Sequence, residues 1–197
     1  MTGNIPTYPD LADKVAVVTG GSGGIGAAAC RLLAKSGAKV AVNGRDETKI
    51  DSVVDEIRSD GGQAIGVGAA VTDFAAIERM RQQVEQELGP VDVLAVLAAS
   101  GGPPPGPTAQ ITEEEWRSAI DGNLTSTFLT LKSFLPGMIE RGNGSIVTMA
   151  SSAGRVPTPA PTAYAAAKAG VVMLSWQVAG EVGKHGAAST AWPRTPF

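Results

Sequence analysis

Tyr164 and Lys168 stand four residues apart in an alanine-rich stretch, Tyr164-Ala-Ala-Ala-Lys168. On a helix that spacing sets both side chains on one face. An ammonium beside a phenol favours the phenolate, which is what a tyrosine acting as general acid and base requires. Ser151 precedes Tyr164 by thirteen residues, just after an apolar run, and Asn123 lies earlier in Ile120-Asp121-Gly122-Asn123-Leu124-Thr125. Taken singly, each has an ordinary reading: a half-buried helix tyrosine, a solvated lysine, a turn-forming serine, a locally bonded asparagine.

A second constellation lies near the start of the chain. Thr19-Gly20-Gly21-Ser22-Gly23-Gly24-Ile25-Gly26 follows the apolar run Val15-Ala16-Val17-Val18 and opens a helical pattern. Glycines there let a backbone turn tightly and approach a pyrophosphate. The helix N-terminus behind them presents unpaired N–H groups and a positive dipole end. Two spacings fit at once, Gly21-x-Gly23-x-x-Gly26 and the narrower Gly20-x-x-x-Gly24-x-Gly26. Without other signals such a run is a weak fingerprint, since glycine turns between strand and helix are common.

The elements that must position these residues alternate. Strands are predicted over 14–19, 39–43, 64–68, 91–98 and 145–150. Helices are predicted over 24–36, 46–60, 73–88, 112–140 (as one piece or two) and 163–184. β-branched runs buried on both faces suit parallel strands, and strand–helix alternation predicts a doubly wound α/β sheet with right-handed crossovers. Turn signals agree at Ser36-Gly37, Asp60-Gly61-Gly62 and Gly89-Pro90. Two proline-rich loops, 101–107 and 157–161, follow strand C-termini, where ligands bind in such sheets.

The bulk properties set limits. The 197 residues suit one domain, with 43% apolar and 18% charged residues. A net charge of −3 gives no basis for binding nucleic acid or an anionic membrane. No apolar run nears the ~20 residues of a membrane span, and residues 1–10 read as a polar tail without the core of a signal peptide. The one cysteine, Cys30, excludes an intrachain disulfide and suits a reducing, cytoplasmic setting; it is expected to pack in the core. The lone His185 reads as a helix cap or surface residue, and no cluster suggests a metal.

Together the glycine loop, Asn123, Ser151 and the Tyr164/Lys168 pair resemble the short-chain dehydrogenase/reductase family, in order and spacing, from about residue 11 to 186. The resemblance implies a Rossmann-type doubly wound parallel sheet of strand order 3-2-1-4-5. It implies that Tyr164 gives a proton to a carbonyl oxygen while NAD(P)H delivers hydride to the carbon. Lys168 would hold the nicotinamide ribose and ease loss of the phenol proton, Ser151 would bond the substrate oxygen, and Asn123 would hold a water linking Lys168 to solvent. Ser152 competes with Ser151, but the offset to Tyr164 favours Ser151. The cofactor-binding residues implied are Gly20, Ser22, Gly24, Ile25, Gly26, Arg45 and Ala98, with Tyr164 and Lys168.

Cofactor choice is read at the end of the second strand, Val42-Asn43-Gly44-Arg45-Asp46. An acid there binds the ribose of NAD, and an arginine accommodates the 2′-phosphate of NADP. The acid of the family falls at Gly44 and Arg45 follows, so NADP(H) is expected over NAD(H). Two departures weaken the cofactor site. The family's Asn-Asn-Ala-Gly is replaced by Val96-Leu97-Ala98-Ala99, and its adenine-contacting aspartate by Ala70.

The third departure is at the end. Residues 187–197 show no strand-like alternation and are expected to be an irregular tail, with the family's C-terminal strands missing. Inserting one base into one permitted coding of residues 186–193 yields Gly-Val-Arg-Val-Asn-Cys-Val-Ala-Pro, which resembles the family's sixth strand. A frameshifted tail on a truncated member is therefore expected, with the fifth strand left as an edge. The expected function is carbonyl–alcohol interconversion on a small molecule such as a 3-oxoacyl thioester, by a homo-oligomer associating through the helices of 112–140 and 163–184. The alternative from another class is a non-catalytic dinucleotide-binding fragment, or a partner of full-length relatives.

Overall fold

The computed structural model describes residues 7–102, 104–185 and, as backbone, 187–192. Strand β1, Val15–Thr19, is buried along its whole length. Its side chains alternate between two cores, as strand geometry requires. Val15 and Val17 face one core and Ala16 and Val18 the other. Such a strand has no polar face and belongs at the centre of a sheet.

Around it β2 (Lys39–Gly44), β3 (Gln63–Gly68), β4 (Val93–Val96), β5 (Gly144–Met149) and β6 (Ala187–Trp192) form one parallel sheet of order β3-β2-β1-β4-β5-β6. Helices α1 (Gly24–Lys35) and α2 (Glu47–Ser59) cover one face through Cys30, Ile50, Val54 and Ile57. Helices α3 (Phe74–Glu87), α5 (Ser126–Arg141) and α6 (Thr162–Val182) cover the other through Ile77, Met80, Leu131, Met138 and Val182. The strand order 3-2-1-4-5 expected from the sequence is present.

Helix starts follow from their capping residues. Asp46 accepts from the Lys49 amide at 3.2 Å, and Asp73 from the Ala75 amide at 2.9 Å. Helix α4, Glu113–Ile120, opens with a reciprocal capping box between Thr112 and Glu115. At the N-terminal edge of the sheet Asp92 joins three strands. Its carboxylate accepts from the Val15 amide at 3.0 Å and from the Asn143 side chain at 3.0 Å, while its carbonyl accepts from the Ser145 amide at 2.8 Å.

Residues 187–192 depart from the irregular tail expected over 187–197. They form β6, registered against β5 from Gly144↔Ala187 to Met149↔Trp192. Strand addition uses main-chain groups, which any non-proline segment can offer to an open edge. The composition Ala-Ala-Ser-Thr-Ala-Trp therefore gave no alternation to read. So β5 is an inner strand and not an edge. Residues 186 and 193–197 lie outside the described residues.

Candidate active site

Thr19 ends β1 and draws the chain after β4 across it. Its hydroxyl accepts from the Leu97 amide at 3.1 Å and the Ala98 amide at 3.2 Å. Gly20 then turns with φ +68°, and a Cβ on it would lie 2.9 Å from the Ala98 Cα. A Cβ on Gly26 would overlap the Gly20 carbonyl, whereas Gly23 has open space around it. Gly23 supplies no side-chain cap to α1, so the first N–H groups of that helix are left for an anionic ligand. Ile25 is exposed on that first turn.

The loop faces a cleft of about 220 Å³ whose walls include Gly20, Ser22, Gly44, Arg45, Ala70 and Ala98. Its lining contains one arginine and no carboxylate, which fits a phosphorylated ligand. A Cβ at Gly44 would stand 2.5 Å from the Ser22 Oγ, so no acidic side chain fits there without displacing Ser22. Asp46 pairs with Lys49 at 3.2 Å rather than with Arg45, and Arg45 makes no ion pair among the described residues. Asn43, which the sequence did not single out, pins the cleft floor by donating to the Val67 and Ala69 carbonyls at 3.0 and 3.1 Å. Cys30 lies under the loop, its sulfur 3.8 Å from the Gly21 carbonyl; burial pushes its thiol up to about 12, in keeping with a packing role.

The residues expected to do chemistry gather beyond the C-terminal ends of β4 and β5. Lys168 is 1% exposed, donates to the Met149 carbonyl at 2.8 Å and lies 5.6 Å from the centroid of the Tyr164 ring. Ser151 follows β5 and caps a 3₁₀ turn, Ser152–Gly154, by accepting from the Ala153 amide at 3.2 Å. Gly154 lets that turn lie on α6. A Cβ there would be 2.5 Å from the Lys168 carbonyl carbon and 2.6 Å from the Ala169 nitrogen.

Asn123 sits in a π-helical turn, Asp121–Thr125, that joins α4 to α5 and divides the helix expected over 112–140. Such turns recur at functional sites. Its Nδ2 donates to the Ser100 and Ala119 carbonyls, and its Oδ1 is buried without a partner. Gly170 lets α6 approach this turn, because a Cβ there would be 2.7 Å from Leu124. The loop after β4 closes the gap, with Gly102 packed between Tyr164 and Ala119. Glycines 102, 154 and 170 were missed in the sequence. Close approach between distant segments leaves no local pattern.

Larger cavities lie elsewhere, one of about 770 Å³ between α1 and α2 and one of about 630 Å³ between α3 and α5. Neither is lined by the glycine loop or by Tyr164, so size does not mark the site. Among the described residues no cluster of three His, Cys, Asp or Glu could hold a metal, and no helix is long and apolar enough to cross a membrane.

The model of the short chain dehydrogenase family matches residues 14–191. The 2,3-dihydro-2,3-dihydroxybenzoate dehydrogenase of Bacillus subtilis is 37% identical over 82% of the chain and 61% of its own length. The acetoacetyl-CoA reductase of a Synechocystis strain is 36% identical over 92% of the chain and 70% of its own length. The chain thus spans about six to seven tenths of these two relatives. A metagenomic short-chain oxidoreductase solved with NADP superposes with a TM-score of 0.86 and 34% identity, over 94% of this chain and 84% of that one. Its matched length, its sheet order and these likenesses place the chain in the short chain dehydrogenase family.

Proposed function

We propose that the chain interconverts a carbonyl and a secondary alcohol with NADP(H). The observation that carries this reading is Lys168, an almost fully buried ammonium fixed to the Met149 carbonyl beneath the Tyr164 ring, next to a cleft headed by an uncapped helix. When bound, a nicotinamide dinucleotide supplies or accepts the hydride.

The chain's own residues then divide the remaining work. Tyr164 gives a proton to the carbonyl oxygen, or takes one from the alcohol. Lys168 holds the nicotinamide-side ribose and favours the phenolate of Tyr164. The Ser151 hydroxyl already accepts from Ala153 and keeps its hydrogen for the substrate oxygen. Asn123 offers its buried Oδ1 to a water on the way from Lys168 to solvent. Gly20, Ser22, Gly24, Ile25, Gly26 and Ala98 line the path of the phosphates.

Arg45, free of ion pairs among the described residues, supports NADP(H) over NAD(H), as does a glycine and not an acid at position 44. The Synechocystis relative supports a 3-oxoacyl thioester or a similar keto compound as substrate. Exposed Trp116 and Phe128 on α4 and α5, with Met173 and Trp176 on α6, support self-association through these helices. The single buried cysteine supports a cytoplasmic setting.

The test is titration of the purified chain with NADPH and NADH, with Tyr164→Phe and Arg45→Ala alongside. Tyr164→Phe should abolish turnover and leave NADPH binding nearly intact. Arg45→Ala should weaken NADPH about 10–100-fold, the worth of a charge-assisted contact, and leave NADH unchanged. Retained turnover in Tyr164→Phe removes that residue from its role. Binding of neither nucleotide by the unaltered chain points to a non-catalytic fragment.

A further inference from the structure

Ser100 stands where the chain leaves β4, two residues beyond the Ala98 that closes over Gly20. The Asn123 Nδ2 has three acceptors around it: the Ser100 carbonyl at 3.0 Å, the Ser100 Oγ at 3.0 Å and the Ala119 carbonyl at 2.9 Å. That nitrogen carries two hydrogens. The two carbonyls fix its orientation, because turning the amide over would set Oδ1 against both of them. Ser100 Oγ can therefore only accept from Asn123. The hydrogen of its hydroxyl has no acceptor among the described residues.

The approach is built into the neighbouring glycine, since a Cβ on Gly122 would lie 2.5 Å from the Ser100 Oγ. On its other side Ser100 lines the same cleft as Gly20, Arg45 and Ala98. Two residues further along the same loop, a Cβ built on Gly102 would lie 3.6 Å from the Tyr164 Cβ. It carries the one side-chain hydrogen-bond donor in Leu97-Ala98-Ala99-Ser100-Gly101-Gly102.

We infer that Ser100 is a bridging residue whose Oγ accepts from the Asn123 amide and donates to a hydroxyl or phosphate oxygen of a dinucleotide bound in the cleft. Cofactor binding and the setting of Asn123 are thereby coupled through one hydroxyl. This rests on the dinucleotide reading above. It also accounts for how the chain keeps a polar contact at a stretch where alanines stand at 98 and 99.

Ser100→Ala tests the inference, because it removes one oxygen and leaves the Ser100 and Ala119 carbonyls on Asn123. NADPH binding is measured by calorimetry, the nucleotide-free melt by calorimetric scan, and the Asn123 side-chain amide by ¹H–¹⁵N spectra. The variant should bind NADPH about 5–10-fold more weakly, the loss of one net hydrogen bond. Its nucleotide-free melt should stay within about a degree or two of the unaltered chain. NADPH should shift the Asn123 amide signals in the unaltered chain and not in the variant. Equal NADPH binding by both proteins overturns the inference while the dinucleotide reading stands. A melt lowered by several degrees with unchanged affinity also overturns it, since Ser100 would then only support the turn. Failure of the unaltered chain to bind NADPH or NADH overturns both readings together.

Discussion

Replacing Gly154 by alanine separates the placement of Ser151 from every other feature of the site. The added Cβ would lie 2.5 Å from the Lys168 carbonyl carbon and 2.6 Å from the Ala169 nitrogen, where ordinary contact begins at 3.4 Å. About 1 Å of separation must therefore be found. Helix α6 cannot give it, because those atoms are mid-helix backbone held by its own ladder. The 3₁₀ turn must retreat, and it moves as a unit: the Gly154 amide donates to the Ser151 carbonyl at 3.1 Å, and the Ala153 amide to the Ser151 Oγ at 3.2 Å. Ser151 thus withdraws by about 1 Å from the helix that carries Tyr164 and Lys168. A displacement of that size costs roughly 100-fold in rate when groups act by position. The overpacking itself costs about 1–3 kcal/mol, or a fall in Tm of about 3–10 °C at this chain length. The assay is NADPH-linked carbonyl reduction beside NADPH titration and thermal melting. The expected result is a kcat about 100-fold lower with NADPH affinity within about twofold. A full rate with a lowered Tm refutes the reasoning, because Ser151 would then not need its position against α6. Loss of NADPH binding refutes it too, because the turn would then be supporting the cleft.

The other predictions concern binding, acid stability and the thiol. Gly26→Ala should abolish dinucleotide binding and lower Tm, since its Cβ would overlap the Gly20 carbonyl, whereas Gly23→Ala, with open space around it, should melt like the unaltered chain; equal melting of the two variants contradicts the packing of the loop. The Arg81 guanidinium, with the Ser133 hydroxyl, holds the Glu78 carboxyl below its ordinary range. A group depressed in the folded state stabilises above its ordinary value of 4.5 and loses that contribution as pH falls through its folded value. Melts from neutral pH downward should therefore show a shallower acid limb in Glu78→Gln, and identical limbs count against the contact. Cys30, with its thiol pushed up to about 12 and fully buried, should react with iodoacetamide at pH 8 only as fast as the chain unfolds; faster labelling means the loop above it opens locally.

Elements whose cause is local were legible from the residues themselves. The apolar run of β1, the glycines after it and the alternation with amphipathic helices pointed to a doubly wound parallel sheet, and the family resemblance implied its strand order. Tyr164 and Lys168 were legible because four residues on a helix bring two side chains to one face. Features made by distant segments were not. Asn43 ties down the β3 end through carbonyls 24 and 26 residues away, and nothing in Asn-Gly-Arg-Asp foretells it. Ser100 reads as a loop serine until Asn123, 23 residues on, is seen against it. Strand β6 was missed for the complementary reason: its partner supplies main-chain groups, and a sequence pattern reports only side chains.

The place of Asp92 in the sheet bears on the order in which the chain can assemble. Its carboxylate meets the Val15 amide across 77 residues of chain. The β1–β2 and β2–β3 pairs need only short crossovers, so they can close as the first half emerges from the ribosome. The other edge of β1 has no partner until β4 follows, and translation at ~5–20 residues per second makes that interval several seconds. Throughout it a strand that is buried along its whole length in the finished fold offers a row of unpaired amides to the solvent. The helix that shields the neighbouring core, α3, is synthesised within that interval, ahead of β4. Chain order thus sets an assembly schedule in which cover comes before closure, and Asp92 is the latch that marks closure complete.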